Sequence, residues 1–109
     1  IHRIIESQIA AFKEDDFPKA FSFAAPSIKR IFKTPERFGS MVKKGYPMLW
    51  RPKNYTFLKT ENGFHATYQG LLVTDQLNAR HMIIYIMKQT EGGWKIQGVR
   101  TRPMPEEII

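Results

Sequence analysis

Several absences limit the chemistry that this sequence can perform. It contains no cysteine, which excludes disulfide bonds, a thiolate nucleophile and a cysteine-ligated zinc site. No apolar run approaches the roughly 18 to 20 residues that a membrane-spanning helix needs, because Lys, Arg or Asp interrupts each candidate. We therefore expect no insertion into a membrane. The histidines are not spaced like any local metal motif, and we expect neither a metal site nor a cofactor.

Acidic residues are scarce in one quarter of the chain. The net charge is +7, and residues 29–53 account for all of it, with eight Lys and Arg against Glu36 alone. This segment could bind phosphates or anionic lipid, since Tyr46, Trp50 and Tyr55 interleave with the cations as aromatics do in proteins that bind single-stranded nucleic acid. The alternative, which we favour, is that the cations form the solvated faces of amphipathic helices. Nucleic acid is therefore not an expected partner.

The chain has the size and apolar content of one domain with one core. It has 109 residues, of which 42% are hydrophobic. Apolar residues at helical spacing predict a first helix that ends near Lys13. Prolines suited to the first turn of a helix predict three more short helices, and they are Pro18, Pro26 and Pro35. We expect the domain to span residues 1–102, followed by a C-terminal tail, residues 103–109.

The second half of the chain has the pattern of an antiparallel meander. Four runs rich in β-branched and aromatic residues predict strands, at residues 55–61, 64–74, 81–90 and 94–101. Asn62-Gly63 predicts a two-residue turn that pairs Glu61 with Phe64. The predicted fold class is therefore α+β, with N-terminal helices packed on a curved antiparallel β-sheet.

Five segments carry a family resemblance that extends to about Thr101. They are Ile9-Ala10-Ala11-Phe12 with Asp15-Asp16, Ala20-Phe21-Ser22-Phe23-Ala24-Ala25-Pro26, Phe32-Lys33-Thr34-Pro35-Glu36-Arg37-Phe38, Met41-Val42-Lys43-Lys44-Gly45-Tyr46-Pro47 and Gly92-Gly93-Trp94-Lys95-Ile96-Gln97-Gly98-Val99. These segments resemble the family called domain of unknown function 4864 (DUF4864). The resemblance implies the nuclear transport factor 2-like (cystatin-like, SnoaL-like) architecture, in which helices close over a curved sheet and leave a cone-shaped pocket.

The same resemblance implies a bacterial protein with an N-terminal export signal. The chain begins with Ile1 rather than Met, which suits a processed start, and we expect a periplasmic or extracellular protein. The resemblance does not set a function, because the superfamily includes isomerases, dehydratases, binding proteins and scaffolds.

The side chains that the predicted hairpin registers aim at the concave face form a candidate ligand pocket. Its members are Tyr55, Tyr68, His81, Tyr85, Trp94 and Arg100. A histidine beside tyrosines can serve as a general base near neutral pH, and an arginine can hold an anionic group. The alternative is an ordinary aromatic core, with His81 and Arg100 in water at the ends of the sheet. The acids, including Asp75, are predicted in turns, so we assign no catalytic carboxylate, and catalysis would depend on His81 and Tyr85 alone.

The sequence leaves three functions open. The preferred one is a small-ligand-binding domain without demonstrable catalysis. The second is a pocket enzyme of the isomerase or dehydratase type that uses His81 and Tyr85. The third is an interaction module that binds anionic partners through residues 29–53.

The third predicted strand is apolar on both faces, which suggests that its outer face is also covered. We interpret this outer stripe as the interface of a homodimer. Its expected members are Met82, Ile84 and Ile86, with Leu71 and Val73 of the second strand. The alternative is that Met104, Ile108 and Ile109 of the tail fold back over it.

Overall fold

The N-terminal half of the chain is helical in the computed structural model, which describes residues 1–103. Its helices are α1 (His2–Lys13), α2 (Phe17–Ser22), α3 (Pro26–Phe32), α4 (Pro35–Gly45) and α5 (Pro47–Trp50). Each helix after α1 carries a proline in its first turn, where the missing N–H costs no hydrogen bond. The four predicted helices are confirmed, and the structure adds α5.

Side-chain oxygens cap two of these helices. Asp16 Oδ1 accepts a hydrogen bond from Lys19 N at the start of α2 (3.2 Å), and Thr34 Oγ1 accepts one from Arg37 N at the start of α4 (3.2 Å). Both caps satisfy an amide that lacks a partner inside its helix. Among residues 1–103, no helix is both long enough and apolar enough to cross a membrane.

The C-terminal half forms one antiparallel sheet in the order β1-β2-β3-β4. Its strands are β1 (Asn54–Asn62), β2 (Thr67–Thr74), β3 (Arg80–Thr90) and β4 (Gly93–Arg102). The predicted α+β class, with N-terminal helices on a curved antiparallel sheet, is confirmed. The tail residues proposed to cover the sheet, Met104, Ile108 and Ile109, lie outside the described residues.

The first hairpin differs from its predicted register. Asn62 pairs with Thr67, and Gly63 N donates to Ala66 O (2.8 Å), so a longer loop replaces the two-residue turn. A β-bulge then interrupts β1 between Phe57 and Thr60. An extra residue in one strand inverts which face the following side chains occupy.

The bulge places the two ends of the predicted aromatic face on opposite sides of the sheet. Tyr55 pairs with Val73, whose side chain is fully buried beneath the helices. Tyr68 is five positions before Val73 in β2, so its side chain points to the opposite, outer face, where it is 38% exposed. The prediction that Tyr68 shares a face with Tyr55 is therefore wrong.

A second bulge, between Ile86 and Met87 in the β3–β4 pairing, has the same effect on the last strand. Met87 pairs with Ile96, which keeps Trp94 on the helix-covered face as predicted. Beyond the bulge, Arg100 pairs with Ile84 on the outer face. The predicted inward position of Arg100 is wrong, because the extra residue of β4 reverses the alternation.

A buried glutamine of β2 lies opposite the bulge of β1. Gln69 is fully buried, and its Nε2 donates to Leu58 O and to Gly70 O, each at 2.9 Å. Its Oε1 accepts hydrogen bonds from Thr60 Oγ1 and from His2 Nε2, the latter at 3.2 Å. The amide therefore supplies a donor to a bulge carbonyl and connects the first turn of α1 to the sheet.

The apolar side chains form two adjoining clusters. One lies between the sheet and helices α1 and α5, and the other lies among α1, α2 and α4. Leu71 and Val73 belong to the first cluster, where both are fully buried on the helix-covered face. The expectation that they join the outer stripe is wrong, whereas Met82, Ile84 and Ile86 do lie on that face.

Candidate functional site

A cavity of about 240 Å³ opens between the helices and β4. Its volume is close to the lower end of the range for small-molecule sites, roughly 300 Å³. The residues that line it come mainly from α1, α3, α4, the residues around α5 and β4: Gln8, Phe12, Ala24, Ile28, Phe32, Phe38, Met41, Val42, Tyr46, Leu49, Ile96, Gly98 and Val99. We call this the helix–β4 cavity.

Backbone hydrogen bonds hold the helical wall of the cavity against the sheet. Ala25 N donates to Ile96 O and Ile96 N donates to Phe23 O, both at 2.8 Å, so the segment before α3 pairs with β4. Ala24 forms a parallel bridge with Ile96 at the same point. On the other side, Tyr46 Oη donates to Val99 O (3.3 Å). These contacts fix the spacing between α3, α4 and β4, and the cavity is the space left between them.

The side chains that line the helix–β4 cavity carry no charge, and two of them are polar. Gln8 is 3% exposed, and its Nε2 donates to Ala20 O (3.2 Å). The carbonyl oxygen of Gln8 and the hydroxyl oxygen of Tyr46 can each accept a hydrogen bond from a guest molecule. This arrangement can hold a small apolar molecule, but it presents no carboxylate, imidazole or amine for acid–base chemistry.

None of the six predicted pocket residues lines this cavity. The structure brings Tyr55, Tyr85 and Trp94 together on the helix-covered face, while Tyr68 and Arg100 lie on the outer face. Sequence reasoning missed the lining residues because α3 and α4 carry them at ordinary core spacing. Contact between the six predicted residues and a ligand stays a prediction.

Tyr85 is enclosed in the core. Its side chain is fully buried, and no residue between 1 and 103 forms a hydrogen bond with its hydroxyl. Burial raises the pKa of Tyr85 far above the usual value, and the nearby Tyr55 adds to this effect. Burial, followed by the charge of Glu6, also raises the pKa of Tyr55. Both phenols are therefore protonated at neutral pH.

His81 lies in a separate shallow groove of about 270 Å³, beside Trp50 and the β2–β3 turn. Its Nε2 donates to Asp75 Oδ2 (2.8 Å), while Asp75 Oδ1 accepts from Leu77 N and Ala79 N, each at 2.9 Å. The hydrogen bond from His81, followed by the two from the backbone, lowers the pKa of Asp75. An aspartate in this position orients an imidazole, as in a catalytic triad.

The sequence indicated His81 but not its partner, Asp75. The signal was present, because an aspartate that begins a turn is well placed to accept hydrogen bonds from the turn. Tyr85 is four residues further along the same face of β3, about 13 Å away at the usual rise of a strand. Across residues 1–103, no three His, Asp and Glu side chains are placed to hold a metal ion.

Part of the basic segment has a structural role. Arg51 forms an ion pair with Asp15 (3.0 Å) and donates to Phe12 O (2.5 Å), which ties α5 to the end of α1. Trp50 Nε1 also donates to Asp15 (2.8 Å), and this hydrogen bond, together with the one from Arg51, lowers the pKa of Asp15. Lys43 Nζ lies over the Trp50 ring, 5.3 Å from its centroid. The remaining cations of α3 and α4 are free of such structural contacts in the described part of the chain.

Neither the comparison with curated proteins nor the comparison with solved structures found a match. The comparison with protein families did. The family model described as domain of unknown function (DUF4864) matches residues 1–109, the whole length of the chain. The match agrees with the segments that carry the resemblance in the sequence, and the chain belongs to the DUF4864 family.

Proposed function

We propose that the protein is a small-ligand-binding domain of nuclear transport factor 2-like architecture, with its ligand in the helix–β4 cavity. The observation that carries this proposal is the cavity itself, about 240 Å³ in volume, with mainly aliphatic and aromatic walls. Helices that close over a curved antiparallel sheet support the architecture. The polar groups of Gln8 and Tyr46 would orient the guest, as a few polar groups do in most apolar sites.

The size of the cavity limits the ligand. At roughly 30 Å³ for each non-hydrogen atom, close to the share of one water molecule, the cavity accommodates about eight such atoms. A ligand of this size gains on the order of 0.6 kcal/mol per atom, between the limits known for very small and drug-sized ligands. The expected dissociation constant is therefore on the order of 0.1 to 1 mM.

Binding fits the geometry better than catalysis by His81 and Tyr85. The two side chains lie in different environments, one in a shallow groove and the other enclosed in the core. The cavity that could enclose a substrate contains neither of them. A general base must lie within hydrogen-bond reach of the proton it removes, so these positions favour a binding protein.

The proposal can be tested with a neutral probe of suitable size and a variant that fills the cavity. Ethylbenzene, which has eight carbon atoms, is titrated into the ¹⁵N-labelled protein and should shift amide resonances of α3, α4 and β4. Ile28→Trp should abolish these shifts, because Ile28 lines the cavity. Ile31→Trp is the matched control, since Ile31 is in the same helix but 66% exposed, and should leave them unchanged. Equal shifts in both variants would place the probe elsewhere and refute the site.

We also propose that the protein is a homodimer through the outer face of the sheet. Met82, Ile84 and Ile86 are half-buried on that face, and Tyr68 and Leu58 beside them are each 38% exposed. A second copy would bury this apolar surface. Because the same face of each copy would form the contact, the assembly would be a closed dimer to which no further subunit adds.

A further inference from the structure

The walls of the helix–β4 cavity that come from α3 and α4 adjoin cations. Phe32 and Met41 line the cavity. Lys29 precedes Phe32 by three residues in α3, and Arg37 and Lys44 lie four residues before and three after Met41 in α4. Residues three or four apart are neighbours on a helix surface. The apolar wall is therefore bordered by three positive side chains.

Within residues 1–103, the charged side chains of α3 and α4 are predominantly basic. Neither the lining residues nor those of α3 include a carboxylate, and α4 contributes Glu36 alone, exposed in its first turn. Arg37 and Lys44 are exposed and Lys29 is half-buried. Long cationic side chains lay their methylene stems along apolar surface and keep the charge in water. A concave apolar site with such an edge attracts anions to its mouth.

We infer that the ligand is an amphipathic anion, a hydrocarbon chain of roughly eight carbons with a carboxylate or phosphate head. The chain occupies the helix–β4 cavity, and the head lies at its edge beside Lys29, Arg37 and Lys44. This inference rests on the proposed function and adds the chemical class of the ligand. Single-chain molecules are favoured, because the cavity of about 240 Å³ is too small for both chains of a membrane lipid.

The test compares ligands that share a chain and differ in the head group. Octanoate, octyl phosphate, 1-octanol and octylammonium are titrated into the wild-type protein by NMR at pH 7 in 10 mM salt. We expect octanoate or octyl phosphate to bind at least tenfold more tightly than 1-octanol. Octylammonium should bind more weakly than 1-octanol. Raising the salt to 1 M shortens the screening length from about 30 Å to about 3 Å and should remove most of this preference.

Charge-reversal variants then locate the head group. The double variant Arg37→Glu/Lys44→Glu should weaken octanoate binding at least fivefold and leave 1-octanol unchanged. Lys59→Glu makes the same kind of charge change on exposed β1, at the opposite edge of the sheet from β4, and should affect neither ligand. Both substituted positions of the double variant are exposed, so the substitutions should not disturb the fold. The salt dependence of the wild-type protein provides a second measure of the charge interaction that needs no variant.

The outcomes distinguish the ligand class from the binding function. Equal affinities for octanoate and 1-octanol in the wild-type protein would overturn the anionic class and leave apolar binding in place. Failure of ethylbenzene and all four octyl compounds to bind would overturn the proposed function itself. Octanoate binding that persists in Ile28→Trp would show that the anion binds the helix surface rather than the cavity, which would also overturn the inference.

Discussion

Replacing Gln69 by leucine tests whether a buried amide holds the bulge of β1. Gln69 is fully buried, and its Nε2 supplies a hydrogen bond to Leu58 O in the bulge and another to Gly70 O. Leucine has a similar volume but no hydrogen-bond donor. The substitution therefore removes the hydrogen bonds and keeps most of the packing.

The expected loss of stability follows from the surroundings of the two carbonyls. A buried acceptor left without its donor costs about 1 to 3 kcal/mol. Leu58 O is partly exposed and can turn to water, which places its cost at about 1 kcal/mol, whereas the buried Gly70 O costs about 2 kcal/mol. Burying the leucine side chain returns about 1 kcal/mol. The net destabilisation should be about 2 kcal/mol, which lowers Tm by roughly 8 to 16 °C in a domain of this size.

Urea unfolding monitored by tryptophan fluorescence and by far-ultraviolet circular dichroism measures this difference. With a slope of about 1 to 2 kcal/mol per molar urea for a small domain, the midpoint should fall by about 1 to 2 M. Gln89→Leu is the matched control, because Gln89 is exposed on β3, and should change stability by less than about 0.5 kcal/mol. If Gln69→Leu is as stable as Gln89→Leu, the amide does not stabilise the bulge and the reasoning fails.

Three other side chains give predictions of their own. Tyr85→Phe should raise the free energy of unfolding by about 1 kcal/mol, because it removes a buried hydroxyl without a partner; a loss of stability would reveal a partner. Asp75 contributes stability above its unfolded-state pKa of 3.8, and this is lost as the pH falls through its lowered folded-state pKa. Asp75→Asn should therefore flatten the decline of the urea midpoint below pH 4, and an unchanged slope would contradict the effect of the His81 contact. Ile84→Glu should convert a dimer to a monomer in light scattering, and a monomeric wild-type protein would exclude the outer-face interface.

Local sequence patterns were sufficient to predict most of the helices and strands. Pro18, Pro26 and Pro35 indicated where helices begin, and Thr34 supplied the hydroxyl that caps α4. Helix α5 was not predicted, since four residues are too few to show a helical period. The Asp75–His81 pair also escaped prediction, because its contact depends on how the β2–β3 turn folds back.

The faces of the sheet were less predictable than its strands. Period-two alternation assigns a face to every side chain only when the strand is regular, and both β1 and β4 contain an extra residue. Tyr68 and Arg100 consequently lie on the outer face, opposite to the predicted one, whereas Trp94, which precedes the bulge in β4, lies on its predicted face. Two of the six predicted pocket residues therefore lie on the wrong face of the sheet. The helix–β4 cavity is lined instead by residues that include those of α3 and α4.

The sequence by itself determined the fold class, the family and the position of the positive charge, because proline placement, apolar periodicity and charge are properties of neighbouring residues. The tertiary structure alone decided which residues enclose space. The helix–β4 cavity exists because the segment from Phe23 to Ala25 pairs with Ile96 while Tyr46 binds Val99, and these contacts join residues more than fifty positions apart in the chain. Long-range pairing of this kind depends on how the helices pack against a sheet that contains two β-bulges, and no local sequence pattern specifies that packing.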